Sequence, residues 1–309
     1  MDEHFESLMD QVKVINDRVR GVVHRRSNGF YLHGRPGTSK SYMVCSTLDR
    51  LRVPYEFSNG HLTPIGLFDL IEQNRTRVIV LDDVVALFNQ PIALQILLAA
   101  LGNRHDQTGI RIVRYKTAKG DQIVHFEGGI ICISNLPLAG HHEAILRALH
   151  DRVYVVHYDP TDDQMIAMIH DIAAKGIDGV SPKDAKMVAT FLVTECRKRE
   201  VRPTIRLFVD KAIKDYDLWK SGQTETHWKD LLVSNLEQQL VNLVHPTKDL
   251  SRAEQTEAER RIAKEILGSN DDSKSKVRAW QEQTGKSQAA FYRRVAELKK
   301  AGLLSSEVV

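Results

Sequence analysis

The sequence predicts an α/β domain built on a parallel sheet covered on both faces, followed by an α-helical subdomain and a small C-terminal helical module. Three observations carry that prediction. RVIVLDD (77–83) and GGIICISN (128–135) are continuous apolar runs with no polar face for water, as strands buried on both sides are. Helix and strand signals alternate up to about residue 159. Beyond Pro160 the strand signals stop and helical periodicity takes over.

In chain order, apolar positions at helical spacing over 5–26 make an amphipathic helix leading into the sheet. GFYLHG (29–34) is a short strand, SKSYMVCSTLDRL (39–51) a helix, PYEFSN (54–59) a strand and TPIGLFDLIEQN (63–74) a helix. RVIVLDD follows, then PIALQILLAALGN (91–103) as a helix. IRIVRYKTAKGDQIVHF (110–126) alternates residue types on either side of Ala-Lys-Gly-Asp, as a β-hairpin does. GGIICISN comes next, and RVYVVHY (152–158) closes the series of strands. Helices are expected over 161–175, 181–199, 203–220 and 225–244, and HPTKDLSRAE (245–254) reads as a linker. Three more helices are expected over 254–267, 273–285 and 287–302. The implied domains are 1–159, 160–244 and 254–309, with 245–253 as the linker.

Composition bounds the function classes. The chain has 309 residues, 42% apolar and 27% charged, as an ordinary globular protein does. A net charge of +3 does not by itself argue for nucleic acid, so the distribution of charge matters more than its sum. The start is acidic and polar, without the apolar core of a signal peptide, and no run approaches the ~18 apolar residues of a membrane span. Cys45, Cys132 and Cys196 form no CxxC pair and read as free thiols in a reducing cytoplasm.

The first strand runs into Gly34-Arg35-Pro36-Gly37-Thr38-Ser39-Lys40-Ser41-Tyr42, and a helix follows at once. This is the phosphate-loop arrangement, in which backbone N–H groups at a helix N-terminus face phosphates and the helix dipole favours their charge. Lys40 is then expected at the β- and γ-phosphates and the Ser41 hydroxyl on Mg²⁺. Ser39 stands where the usual pattern has glycine, placing a side chain beside the phosphates. The strand RVIVLDD ends in two carboxylates: Asp82 would hold the metal, and Asp83 would orient or deprotonate the attacking water. The plain alternative is a pair of aspartates capping the next helix.

These motifs resemble the AAA+ family of P-loop ATPases over residues 20–220. The resemblance implies ATP and Mg as cofactors and a homo-oligomer, ring or filament, with ATP at subunit interfaces. It implies a sensor role for Asn135, at the tip of the strand beside Asp82, and an arginine finger at Arg152, with Arg147 in reserve. VRPTIRLFVDKAI is similar to the family's second sensor helix, with Arg206 the best match and Arg202 the lesser one. Asn59 sits where the family often has a polar switch residue, though an asparagine before glycine is equally a turn residue. The Asp82-Asp83 pair, where the family usually has Asp-Glu, resembles bacterial replication initiators and helicase loaders.

The C-terminal module turns basic. From Lys274 to Gly302 eight basic residues face only Glu282 and Glu297, a local balance of +6. A helix, Gly285 and a helix capped by Ser287 look like a helix-turn-helix, with Ala301 to Leu304 as the exit towards a short wing. Lys286, Gln288, Tyr292, Arg293 and Arg294 are the candidate DNA contacts, the alternative being a three-helix bundle that binds protein. Arg111, Arg114, Lys116 and Lys119 on the hairpin form a second candidate surface. His141 and His142 lack ligand-spaced partners and read as a surface turn. The function expected is that of a cytoplasmic AAA+ ATPase acting on DNA in replication initiation, helicase loading or control of transposition. Its partners would include a helicase, a transposase or another protein, and no membrane. The rivals are a protein remodeller, against which no aromatic-hydrophobic pore motif is found, and an ATP-bound assembly switch with little hydrolysis.

Overall fold

The computed structural model describes residues 3–83, 85–102, 109–117, 120–139, 142–177, 179–244, 259–260, 262–264, 266–267, 273–284 and 286–300. The linker 245–253, Lys119, His141, Gly285 and the Ala301 to Leu304 exit lie outside the described residues. The chain divides into two compact units, 1–236 and 237–309.

In the first unit, α1 (Glu3–Val23) leads into β1 (Gly29–His33), α2 (Lys40–Arg50), β2 (Tyr55–Asn59), α3 (Pro64–Gln73) and β3 (Val78–Asp82). Then come a short helix α4 (Val85–Phe88), α5 (Pro91–Ala100), the hairpin β4 (Arg111–Thr117) and β5 (Gly120–Phe126), β6 (Gly129–Ser134), α6 (Glu143–His150) and β7 (Tyr154–His157). The five strands β2-β3-β6-β1-β7 form one sheet in that order, and every pairing in it is parallel. Every residue of β3 and β6 is buried, which is why both read as unbroken apolar runs.

Side chains alternate across a strand, so the sheet has two covered faces. On one face Tyr31, Ile79, Leu81, Ile130 and Cys132 pack with α3, α5, α6 and the hairpin. On the other, α1 lies along β1 and β6 with Leu8, Ile15, Val19 and Val22 buried, and it also contacts α2. Because β6 inserts between β1 and β3, the ends of three strands converge: Leu32 and Asp82 each pair with Ile133. Asn59 ends β2 opposite Asp82.

Helices α7 (Asp162–Lys175), α8 (Pro182–Lys198), α9 (Ile213–Lys220) and α10 (Trp228–Val244) follow β7. Thr161 starts α7 with a reciprocal capping box to Gln164, and Ser181 caps α8. The helix expected over 203–220 differs in detail: Leu207–Ala212 winds as a π-helical turn before α9. Sequence periodicity cannot foresee this, because one added residue per turn re-aims every side chain before it relative to those after it.

In the second unit, helical residues 259–260, 262–264 and 266–267, α11 (Ser273–Thr284) and α12 (Gln288–Lys300) surround an apolar centre of Ala263, Ile266, Trp280, Phe291, Val295 and Leu298.

Candidate functional site

The parallel sheet places its strand C-termini, and the loops that leave them, on one edge. There the chain passes from β1 into α2 through residues 34–39. Gly34 has φ 152°, and a Cβ on it would lie 1.8 Å from the Tyr158 carbonyl oxygen, so only glycine lets this loop start against the end of β7. Gly37 has φ 76°, and its α-carbon faces the Thr204 side chain, 3.0 Å from where a Cβ would stand. Ser39, the residue before Lys40, is also left-handed, with φ 66° and ψ 25°, and it makes no side-chain cap. The first-turn amides of α2 are therefore left for another acceptor.

Lys40, Ser41, Asp82, Asp83 and Asn135 come together above the sheet. Lys40 Nζ donates to the carbonyls of Gly34 (2.8 Å) and Arg35 (2.7 Å) and to Asn135 Oδ1 (3.0 Å). Asn135 Nδ2 in turn donates to Asp83 Oδ1 at 3.1 Å. Ser41 Oγ donates to Asp82 Oδ2 at 2.6 Å. Lys40 is 6% and Asp82 7% exposed. Burial pushes the Lys40 ammonium down to about 8, with the carboxylates of Asp83 and Asp82 pulling it back up and the charge of Arg206 adding to the fall. Burial pushes Asp82 up, helped by the charge of Asp83 and opposed by Ser41. Asp83 itself is exposed, in a left-handed conformation (φ 52°), its N–H donating to the Ile133 carbonyl.

The donor set fits a magnesium nucleotide. A hydroxyl and a carboxylate are the hard oxygen ligands that Mg²⁺ takes. An uncapped helix N-terminus beside an ammonium suits phosphate. Ser41 and Asp82 would hold the metal, and Lys40 with the α2 amides would hold the phosphates.

The other expected residues fall in several places. Thr38 is buried and its hydroxyl donates to the Arg35 carbonyl at 2.9 Å, while Pro36 and Tyr42 are exposed, Tyr42 at 74%. Arg35 sends its guanidinium to Asp162, Asp159 and the Pro160 carbonyl. Arg206 is exposed, donates its backbone N–H to the Gly37 carbonyl at 3.4 Å and lies near enough to act on Lys40. Arg202 donates to Asp162 at 2.9 Å. Arg152 donates to the Ala148 carbonyl at 2.8 Å and Arg147 pairs with Glu143, so neither joins the Lys40 group of its own chain.

Three residues expected to contact nucleic acid hold partners within the chain instead. Arg111 is 3% exposed: it donates to the carbonyls of Phe126 and Gly128 and lies 4.8 Å over the Phe126 ring. It starts β4 on the inward face, so alternation turns Arg114 and Lys116 outward and Arg111 in. In the second unit, Lys286 and Arg294 both bind the buried carboxylate of Glu259, and Arg294 also binds Glu297 at 2.6 Å. Burial alone would raise Glu259, but these two cations hold it below the usual carboxylate range. Gln288, Tyr292 and Arg293 are exposed together with Ala289 and Ala296, on the face of α12 opposite Phe291, Val295 and Leu298.

Sequence reasoning missed Thr204, Asp162 and a stacked pair, His33 and His157, whose rings lie 4.8 Å apart on β1 and β7. Burial lowers His33, and the charges of His157 and Lys40 add to this. The position of His33 immediately before Gly34 was the signal available.

No protein-family model matches the sequence, and no curated protein does. Among solved structures the chain is similar to the ORC2 protein of Aeropyrum pernix in its ADPNP–ADP complexes, with a TM-score of 0.51 and 11% identity over 96% of this chain and 86% of that one. It is also similar to RuvB of Thermotoga maritima, a Holliday junction branch migration motor (TM-score 0.46, 15% identity, 97% and 88% covered). A third is Cdc6p of Pyrobaculum aerophilum (TM-score 0.46, 15% identity, 97% and 87% covered). The strand order, the loop between β1 and α2 and the ORC2 likeness agree on one architecture: the chain has the fold of the AAA+ P-loop ATPases.

Proposed function

We propose that this chain is a magnesium-dependent ATPase that works as a homo-oligomer and acts on DNA. The observation that carries the ATPase reading is the linked set Ser41–Asp82 and Lys40–Asn135–Asp83, closed over the uncapped start of α2. Bound Mg-ATP would supply an electrophilic γ-phosphorus and a metal to neutralise developing charge. Lys40 and the α2 amides would bind the phosphates, and Ser41 and Asp82 would fix the metal. Asp83, with Asn135 setting its carboxylate, would orient the attacking water. Arg206 would add positive charge from the helical subdomain, and Arg152 would serve the site of a neighbouring subunit.

The DNA reading rests on the exposed Gln288, Tyr292 and Arg293 of α12 and on a helix-turn-helix reading of the second unit. Replication initiation, helicase loading or control of transposition in the cytoplasm is the role this supports. The test is ATP turnover of the full chain with and without duplex DNA at two salt concentrations, with Asp83→Asn as the control. Turnover that Asp83→Asn abolishes and that DNA stimulates more strongly at low salt is the expected result. Turnover equal to that of Asp83→Asn would leave a static switch. DNA that neither binds nor changes turnover would end the DNA reading.

A further inference from the structure

Arg35 and Gly37 join the phosphate loop to the helical subdomain. Arg35 Nη1 donates to Asp162 Oδ1 at 2.9 Å, its Nη2 donates to the Pro160 carbonyl at 2.9 Å, and its Nε lies 3.5 Å from Asp159. Arg202 Nε donates to the same Asp162 oxygen at 2.9 Å. Two residues further on, Thr204 packs on Gly37, and the Arg206 N–H reaches the Gly37 carbonyl. The Arg35 side chain is 11% exposed and that of Asp162 44%, so the arginine end of the pair is shielded while the carboxylate end is half open to water. Burial would raise the Asp162 carboxyl, yet the hydrogen bonds from Arg35 and Arg202 reverse that and hold it low.

We propose that Arg35 is a positioning residue and not a phosphate ligand: it latches the start of α7, and through Asp162 and Arg202 the helix that carries Arg206, onto the phosphate loop. This rests on the nucleotide reading of the site. The backbone of Arg35 faces the other way from its latch. Its carbonyl accepts from Lys40 Nζ and from Thr38 Oγ1. The Lys40 ammonium has three donors, and the oxygens of Gly34, Arg35 and Asn135 take them. Any phosphate oxygen that accepts from Lys40 must displace one of those three, and two of them belong to the residues at the root of the latch. A shift in the carbonyl of Arg35 reaches Asp162 through a single side chain. The partner chosen by Lys40 and the seat of the helical subdomain are thus coupled through contiguous contacts.

The test uses the full chain with two readouts: amide hydrogen exchange of the protein alone, and binding of Mg²⁺ with a fluorescent N-methylanthraniloyl ATP. Arg35→Gln and Asp162→Asn should each speed exchange over residues 162–165 and 205–208 while leaving β3 and β6 unchanged. Each should weaken the ATP analogue about three- to tenfold, the size expected for losing one charged hydrogen bond whose carboxylate is half exposed. The double variant should lose less affinity than the two single losses added together, because the two side chains share one contact. Arg202→Gln, which leaves the Arg35–Asp162 pair in place, should give a smaller effect in the same direction and serves if Asp162→Asn fails to fold. Weak binding by Arg35→Gln with wild-type binding by Asp162→Asn would make Arg35 a phosphate ligand and overturn the proposal. Unchanged exchange in both variants would overturn it too. If the wild-type chain does not bind the analogue, the nucleotide reading fails, and the exchange pattern alone decides whether the latch exists.

Discussion

Ser39 occupies the backbone position at which phosphate loops favour glycine, and the chain keeps the left-handed geometry with a side chain in place. A non-glycine residue there carries a steric cost, so Ser39→Gly is expected to stabilise the protein by about 1 kcal/mol. Urea unfolding measures it, and a loss of stability would show that the serine side chain makes up for its backbone. Lys40 has a second consequence. Its ammonium is held down to about 8, and the ammonium is the form that binds phosphate. That form is complete well below pH 8 and is lost as pH rises through that value. Nucleotide affinity should therefore fall about tenfold between pH 7 and pH 9. Lys40→Arg, whose side chain stays charged over this range, should flatten the profile. A wild-type profile that is flat over the same range would show that Lys40 keeps its charge up to pH 9.

Whether a charge meets a partner molecule or the protein's own core is settled element by element. On β4, Arg111 faces inward and holds two carbonyls, while Arg114 faces out. Arg111→Ala should cost about 2–3 kcal/mol of stability, because it strands buried acceptors. Arg114→Ala should leave thermal stability unchanged, and paired melts test both expectations together. The same division runs along α12. Arg293→Ala should weaken DNA binding and lower the slope of log affinity against log salt by about one. Arg294→Ala should instead destabilise the second unit by about 2 kcal/mol, since Glu259 loses one of its two cations. The fluorescence of Trp280, buried beside Phe291, reports that loss. Equal effects of the two arginines on the salt slope would contradict the division.

For the whole molecule, a complete catalytic set needs a second copy if Arg152 serves a neighbour. Arg152→Ala and Asp83→Asn should each lower turnover at least about a hundredfold. Mixed in equal amounts they should recover about a quarter of wild-type turnover, the share of interfaces in which both missing groups are supplied. No recovery on mixing would place Arg152 outside a shared site.

The sequence by itself determined the class of fold and the local chemistry at the strand ends. Unbroken apolar runs as short as those of β3 and β6, bounded by turn residues, fit strands with two covered faces, and Gly34, Gly37, Lys40 and Ser41 are fixed relative to one another by a few covalent bonds. Such features are local, and local spacing reads them. Tertiary structure decided what is far apart in the chain. The insertion of β6 between β1 and β3 brings Asn135 to Lys40 and Asp83, and nothing in their spacing states it. It also decided which basic residues are available. Arg111 and Arg114 look alike in sequence, as do Arg293 and Arg294, yet alternation along a strand and rotation around a helix send one of each pair inward to carbonyls or Glu259. Arg35 is the sharpest case. Its place in the phosphate loop suggests a phosphate ligand, and only the return of the chain through β7, which brings Asp159, Pro160 and Asp162 from more than a hundred residues away, gives its guanidinium other partners.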